Sequence, residues 1–444
     1  MRVLLITVGS RGDAEPFCAL ASALATAGHG AALYLQTDLQ HLAPACDSVT
    51  LHELPFTQMD FYKYVGSPRH GKNHGNPRVR FVGIVADIVC ALVLPCAAAI
   101  LADSAAKPPD QRPTVIVASS LAREVALVLA AKLGIPVALI QLQPHVPTGD
   151  FPHYSNHETC VRAILARGEQ AGEAKDEEEE GGSSADSAPS SRTANLESYW
   201  EPERSMREFC RADLERLYGD LQLAASSFDE DLAPSLRGQT DHVWMVNAFS
   251  HRIIPKCSDH NSPNILEVGC LAHDWIPQGW SPPLELEAFL ADCVEEPPVC
   301  VGYGSMPFDK MRALMVVEAL TRTGRRGVLV GSAMAELEDR PDIFTVQAVP
   351  YAWLLPRCSM MLSHGGAGVV HATLAAGIPA VISPLMGDQF FFAAILEARG
   401  LGVQCGANLT NITADEVAES IDKALACCDA CREMGKAMRE DGDG

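Results

Sequence analysis

Positive charge is scarce in this chain. Of its 444 residues, 34 are Lys or Arg and 56 are Asp or Glu, a formal net charge of −22. A chain of that sign lacks the basic patches that neutralise nucleic-acid phosphates, and charge alone does not hold it to anionic lipid. A long hydrophobic span is also missing. The longest apolar run, Ile88 to Ala102, is bounded by Asp87 and Asp103 and interrupted by Pro95. It reads as too short to cross a membrane and suits a buried helix. No leader is expected, because Met1 and Arg2 run directly into the strand pattern Val3 to Val8. Paired cysteine spacing is absent. The 15 cysteines are odd in number and scattered, which points to reduced thiols in the cytoplasm. Cys427, Cys428 and Cys431 contain one CxxC in a helical pattern, with no second pair to complete a metal site. The G-x-G-x-x-G fingerprint is missing from the opening βαβ pattern, which argues against a dinucleotide oxidoreductase. No DxD-type metal motif is found, so neither metal nor cofactor is expected.

Nearly half the residues are apolar, and the length suits two domains with full cores. The most informative stretch is Met360 to Gln389. Met360-Met361-Leu362 reads as a buried strand end. Ser363-His364-Gly365-Gly366-Ala367-Gly368 follows, and then a helix from Val369 to Ala376, closed by Gly377 with Pro379 beyond. Strand, glycine-rich turn and helix bring free backbone N–H groups to an anion, helped by the partial positive charge of a helix N-terminus. His364 stands at the turn, where a ring N–H can reach a phosphate. After the strand Ala380 to Ser383, Asp388 and Gln389 lie at a strand's C-terminal end, where open α/β sheets bind ligands. A carboxylate beside an amide suits a polyhydroxylated ligand. The physical reading is a phosphate cradle beside a sugar site, hence a nucleotide sugar. A generic Rossmann turn with a core histidine is the competing reading.

The pattern HGGAG…AGIP…P…GDQ resembles the donor-site signature of GT-B fold glycosyltransferases, and Val349 to Gln389 follows it without gaps. The resemblance implies an α/β fold of two Rossmann-like domains with parallel sheets facing across a cleft. The opening segment, Gly9-Ser10-Arg11-Gly12-Asp13-Ala14-Glu15-Pro16-Phe17, resembles that of the sterol glucosyltransferases and the related antibiotic glycosyltransferases. By that resemblance Asp13 is the candidate base on the acceptor hydroxyl, and Ser10 and Arg11 lie against the donor. Asp13 also has a plainer reading, as a cap of the following helix. Gln143 to His153 is physically a proline-rich loop, but it resembles the acceptor-side PWTPT…FPH segment of the sterol branch. This makes His145, which stands where Trp is usual, with Thr148 and Phe151, the acceptor-side candidates. Tyr303-Gly304-Ser305 resembles the GFGS turn whose Ser touches donor phosphates. Val349 and Tyr351 match the segment that holds uracil, with Tyr351 in place of Gln or His.

Read in order, the chain predicts a turn from Gly9 to Glu15 and a helix beginning at Pro16. The aromatic segment Leu54 to Val65 suits either an apolar acceptor pocket or core packing. A mobile loop is expected from Gly66 to Arg80, and a disordered acidic insertion from Glu173 to Arg192. Domain boundaries are expected at 1–274 for the acceptor domain, 275–283 for the linker and 284–444 for the donor domain. Two departures from the family stand out. Val369 replaces a Ser or Thr, which removes one hydroxyl from the phosphate site, and the final helix of relatives is expected to be missing after Gly444. The implied function is a hexosyltransferase: inverting, metal-independent transfer of glucose from UDP-glucose to the 3β-hydroxyl of a sterol, with His364 and Asp13 as the catalytic pair. The expected partners are UDP-glucose and a sterol, with transient membrane contact from the cytoplasm. Two alternatives are kept: another lipophilic acceptor such as a polyketide or glycolipid, and a catalytically weak protein that binds sugar nucleotide or sterol.

Overall fold

The computed structural model describes residues 1–66, 68–72, 74–173, 189–224, 232–271, 275–277, 279–304, 306, 308–331, 337 and 340–440. The chain divides into two compact units: Met1–Ala248 with Lys256–Val268, and Phe249–Pro255 with Gly269–Gly444.

The first unit is built on a seven-stranded sheet. Its strands are β1 (Arg2–Ile6), β2 (Gly30–Gln36), β3 (Val49–Leu54), β4 (Val115–Ser119), β5 (Val137–Gln141), β6 (Val243–Asn247) and β7 (Ile265–Glu267). The spatial order is β3-β2-β1-β4-β5-β6-β7, and every pairing is parallel. Helices cover both faces of such a sheet, which is why Leu4, Leu5 and Ile6 are all buried and β1 reads as a continuous apolar run. The order reverses between β1 and β4, so the first crevice opens where the Gly9–Asp13 segment leaves β1.

The second unit carries a six-stranded parallel sheet: β8 (Val299–Gly302), β9 (Gly327–Val330), β10 (Ile343–Val346), β11 (Met360–Ser363), β12 (Ala380–Ile382) and β13 (Gly402–Gln404). The order is β10-β9-β8-β11-β12-β13, with its switch point between β8 and β11. Both units are therefore Rossmann-like, as expected, and the Gly-rich stretch after β11 leaves the sheet at the switch point.

Several local expectations are corrected. The first helix starts at Arg11 and runs to Thr26, with Pro16 inside it. Ser10 and Asp13 close a capping box that starts the helix one and a half turns before the proline. The Gly66–Arg80 segment is not a free loop. Pro77–Ile88 is helical, with Asn76 as its cap, and fully buried Asp87 accepts from the backbone N–H groups of Arg69 and His70 and pairs with the His70 ring at 2.6 Å. Gly83 permits this close approach, since a Cβ there would stand 2.4 Å from the His70 carbonyl oxygen.

The helical run continues from Pro77 to Ala106, 30 residues that are long and apolar enough to cross a membrane, although 56% of its most apolar window is buried within the protein. Burial and contact with the helix Pro189–Asp220 suit the core reading. In the aromatic segment Phe56 is buried and Phe61 and Tyr64 pack on that core, while Met59 is exposed. Of the acidic insertion, residues 174–188 lie outside the described residues. Its flanks are ordered: one helix ends at Glu173 and the next begins at Pro189. The 274/284 boundary also moves. Phe249–Pro255 belongs to the second unit, where the Ser250 N–H bonds His371 and the Arg252 carbonyl accepts from Arg399. The expected linker is part of that unit as well, with Trp280 packed against Trp353 at 5.4 Å.

Candidate active site

The candidate residues fall on both units, and each set is built by its own sheet. On the first unit, Ser10 is the N-cap and Arg11 and Asp13 occupy the first turn of the helix after β1. Asp13 Oδ2 accepts from the Ser10 N–H at 2.7 Å and from the Ser10 hydroxyl at 2.9 Å. The capping role that competed with the base role is thus present. Burial raises the Asp13 carboxyl above its ordinary value, and the Ser10 hydrogen bonds offset only part of that. A carboxylate with raised basicity matches an alcohol better than a free Asp does. Gly9 is indispensable here: its φ is +145°, and a Cβ would lie 2.3 Å from Asp13 Oδ2. Arg11 pairs with Glu15 at 2.6 Å, so its guanidinium is already partly engaged.

Sequence reasoning missed what holds this turn. Gln36, fully buried at the end of β2, accepts the Gly9 N–H at 2.7 Å. Ser119 at the end of β4 accepts the Val8 N–H at 3.0 Å. The signal was readable: β2, β4, β5 and β6 each end on one buried polar residue, namely Gln36, Ser119, Gln141 and Asn247. Such a row lines the carboxyl edge of the sheet. Among the described residues, Gln36 Nε2 and Asn247 Oδ1 have no hydrogen-bond partner.

The three acceptor-side candidates divide. Thr148 is fully buried, and its hydroxyl donates to Asp259 at 2.6 Å. Phe151 is 1% exposed. Both side chains are interior, and the Thr148 bond to Asp259 helps to fix the loop. The loop is also clamped through Asp150, which Arg167, Arg192 and Ser258 engage together. His145 is half-buried and bonds the Tyr154 hydroxyl at 3.0 Å. Desolvation pulls its pKa down to about 4, so the ring is neutral at pH 7.

On the second unit, the turn after β11 has the expected shape. Gly366 is the N-cap of the helix Ala367–Ala375, whose first N–H groups have no helical acceptor. Gly365 adopts φ +82°. A Cβ there would meet Ile382 Cγ2 at 2.4 Å, and one on Gly366 would meet His364 Nε2 at 2.7 Å. Ser363 Oγ accepts the Gly365 N–H at 3.2 Å, which tightens the turn. The His364 ring also lies 3.5 Å from where a Gly304 Cβ would stand. The turn after β8 and the cradle after β11 therefore converge on one imidazole. Burial lowers its pKa to about 4, and Nδ1 is a buried atom with no partner among the described residues. Val369 is buried and sits in the first turn, with Gly368 before it. Ser305 lies outside the described residues.

Gln389 departs from its expected role. It is 5% exposed, and its Oε1 accepts the N–H groups of Leu385 at 2.7 Å and Met386 at 3.1 Å. Its carbonyl oxygen is therefore committed to holding the loop before it, and only its NH₂ reaches outward, towards Met306 Sδ at 3.5 Å. Asp388 occupies the N-cap position of the helix Gln389–Ala398, and its side chain makes no cap bond. Val349 is buried, and Tyr351 opens the short helix Tyr351–Leu354. The Tyr351 hydroxyl reaches the end of β8, where only glycine at 302 leaves room.

Residues 329–443 match the family described as Erythromycin biosynthesis protein CIII-like, C-terminal domain. A sterol 3-beta-glucosyltransferase of Arabidopsis thaliana is 26% identical over 429 residues, 90% of this chain and 59% of the relative. The O-mycaminosyltylonolide 6-deoxyallosyltransferase of Streptomyces fradiae is also 26% identical, over 446 residues, 99% of this chain and 94% of the relative. Among solved structures, the spinosyn rhamnosyltransferase SpnG complexed with thymidine diphosphate superposes with a TM-score of 0.60 at 15% identity, covering 100% of both chains. The two units have the fold of the solved GT-B glycosyltransferases, and the second carries the region that matches the family model. The chain spans 59% and 57% of the length of two Arabidopsis sterol glucosyltransferases it matches. The region that matches the family contains the β11 cradle, His364, Asp388 and Gln389.

Proposed function

We propose that this chain is an inverting, metal-independent glycosyltransferase that moves glucose from UDP-glucose to the 3β-hydroxyl of a sterol. The observation that carries the reading is the cradle after β11: a left-handed Gly365, an N-capping Gly366 and a half-buried imidazole at a helix N-terminus whose Nδ1 has no partner among the described residues. A neutral imidazole can donate one N–H to a diphosphate oxygen without first gaining a proton. The amides of Ala367, Gly368 and Val369 add donors, and the Asp388 carboxylate accepts from sugar hydroxyls. Gln389 contributes its NH₂ alone.

In the proposed step the acceptor oxygen attacks the anomeric carbon as the bond from that carbon to the phosphate oxygen breaks. UDP leaves with the bonding pair. The acceptor proton passes to Asp13, whose Oδ1 is the oxygen not engaged by Ser10. The cradle stabilises charge that develops on the leaving diphosphate, the role of fixed donors in a desolvated site. No cofactor beyond the donor is invoked. The sterol assignment rests on sterol glucosyltransferases among the relatives, and we place the reaction on the cytoplasmic side with transient membrane contact. A second reading, a polyketide acceptor, is favoured by the Streptomyces relative, which this chain matches over nearly its whole length.

Acceptor-dependent UDP release tests both readings. With UDP-glucose, sterols are expected to stimulate release, macrolide aglycones are not, and a chelator leaves the rate unchanged. Release driven only by macrolides moves the second reading ahead. Loss of release on chelation overturns the metal-independent step.

A further inference from the structure

We propose that His371 is a positioning residue for the donor site: it ties the segment Phe249–Pro255 to the helix whose N-terminus forms the cradle, so nucleotide affinity depends on a side chain outside the cradle itself. This rests on the donor-site reading above.

His371 lies one turn inside the helix Ala367–Ala375 and is 1% exposed. Its Nδ1 is 2.7 Å from the carbonyl oxygen of Ala367, the first residue of that helix. A carbonyl only accepts, so Nδ1 carries the proton. Nε2 is then an acceptor, and it takes the backbone N–H of Ser250 at 3.1 Å. The two bonds fix one neutral tautomer between them. Ser250 is fully buried and organises its segment: its carbonyl accepts from Ile253 and Ile254, and its hydroxyl accepts from Arg252. Arg399 donates to the Arg252 carbonyl from the other side. The chain on both sides of this segment, to Ala248 and from Lys256, belongs to the first unit. One imidazole thus joins the first turn of the cradle helix to a crossing segment, and neither end is a generic packing contact. A buried Ser250 N–H without its acceptor is costly, so removal of Nε2 favours release of the segment and leaves Ala367 unbraced.

The tie is tested with two polar substitutions of different reach. His371→Gln places an amide oxygen near the Nε2 position and can still accept from Ser250. His371→Asn reaches only the Ala367 carbonyl. Calorimetric titration with UDP is combined with hydrogen exchange of peptides covering residues 249–255. The expected result is that His371→Asn binds UDP about tenfold more weakly, a loss of the size of one buried hydrogen bond, and exchanges faster at Ser250. His371→Gln stays within about twofold of the native chain on the same basis. Equal UDP affinity in all three proteins overturns the positioning role, as does an equal loss in both variants with the segment still protected. If the native chain itself binds no UDP, the donor-site reading fails, and unchanged exchange in His371→Asn then separately overturns the tie.

Discussion

Asp13 carries two duties on one carboxylate. Oδ2 completes the capping box with Ser10, and burial raises the basicity of the whole group. Asp13→Asn keeps the size but removes the base. Sugar transfer is expected to fall by about 10²- to 10⁴-fold, the usual contribution of a general base, while UDP affinity changes little. Transfer within about threefold of native would remove Asp13 from the chemistry. The raised pKa also places the acid limb of the rate profile above the ordinary carboxylate range, because the base is lost only as pH falls through its folded value. Gln389 shows what a sequence pattern conveys poorly. The motif located it at the right strand end, but only coordinates reveal that its oxygen serves Leu385 and Met386. Gln389→Ala leaves two part-buried N–H groups without that acceptor, at a cost of about 1 kcal/mol each. A clear drop in thermal midpoint together with weaker UDP binding is expected. A stable variant with unchanged UDP affinity would show that the loop does not need the amide.

At the scale of elements, the candidate regions on the two units repeat one construction, in which a buried strand ends, a glycine takes a conformation that excludes side chains, and a helix begins. Gly365→Ala tests it. Its positive φ is strained for alanine, and the added Cβ lies 2.4 Å from Ile382. We expect UDP binding to weaken at least tenfold with a lowered melting midpoint, as strain and overpacking each cost about 1–3 kcal/mol. A variant that binds UDP as the native chain does would detach the cradle geometry from nucleotide recognition. The elements themselves were largely legible. The β11 strand, its turn and its helix follow from apolar runs and glycine spacing. Elements whose limits depend on caps or distant partners were misplaced or not legible. The helix start before Pro16 depends on the Ser10–Asp13 box, the order of Arg69 and His70 on buried Asp87, and the placement of Phe249–Pro255 on His371. The last two follow from no local pattern, because each needs a distant partner, whereas the Ser10–Asp13 box is a local signal that was read as a cap without moving the helix start.

Over the whole molecule, acid should weaken the fold. His364 and His145 titrate near 4 within the protein but near 6.5 when unfolded. His153 is also held well below its ordinary value by burial. Between those limits the unfolded chain binds more protons, so stability rises with pH and is lost as pH falls from about 6.5 towards 4, by up to ~1.4 kcal/mol per pH unit for each such histidine. Glu203, held low by Arg123 despite burial, adds stability in the same direction. The urea midpoint should therefore be lower at pH 5 than at pH 7. An equal or higher midpoint at pH 5 would contradict the buried neutral state of these rings. The central proposal is that the cradle on the second unit binds a nucleotide diphosphate. The most direct measurement is calorimetric titration of the native chain and of His364→Ala with UDP at pH 7. The account predicts saturable one-to-one binding by the native chain, weakened about tenfold or more when the imidazole is removed, as expected for a hydrogen bond to a charged group. No binding by the native chain, or equal binding by both proteins, would contradict it.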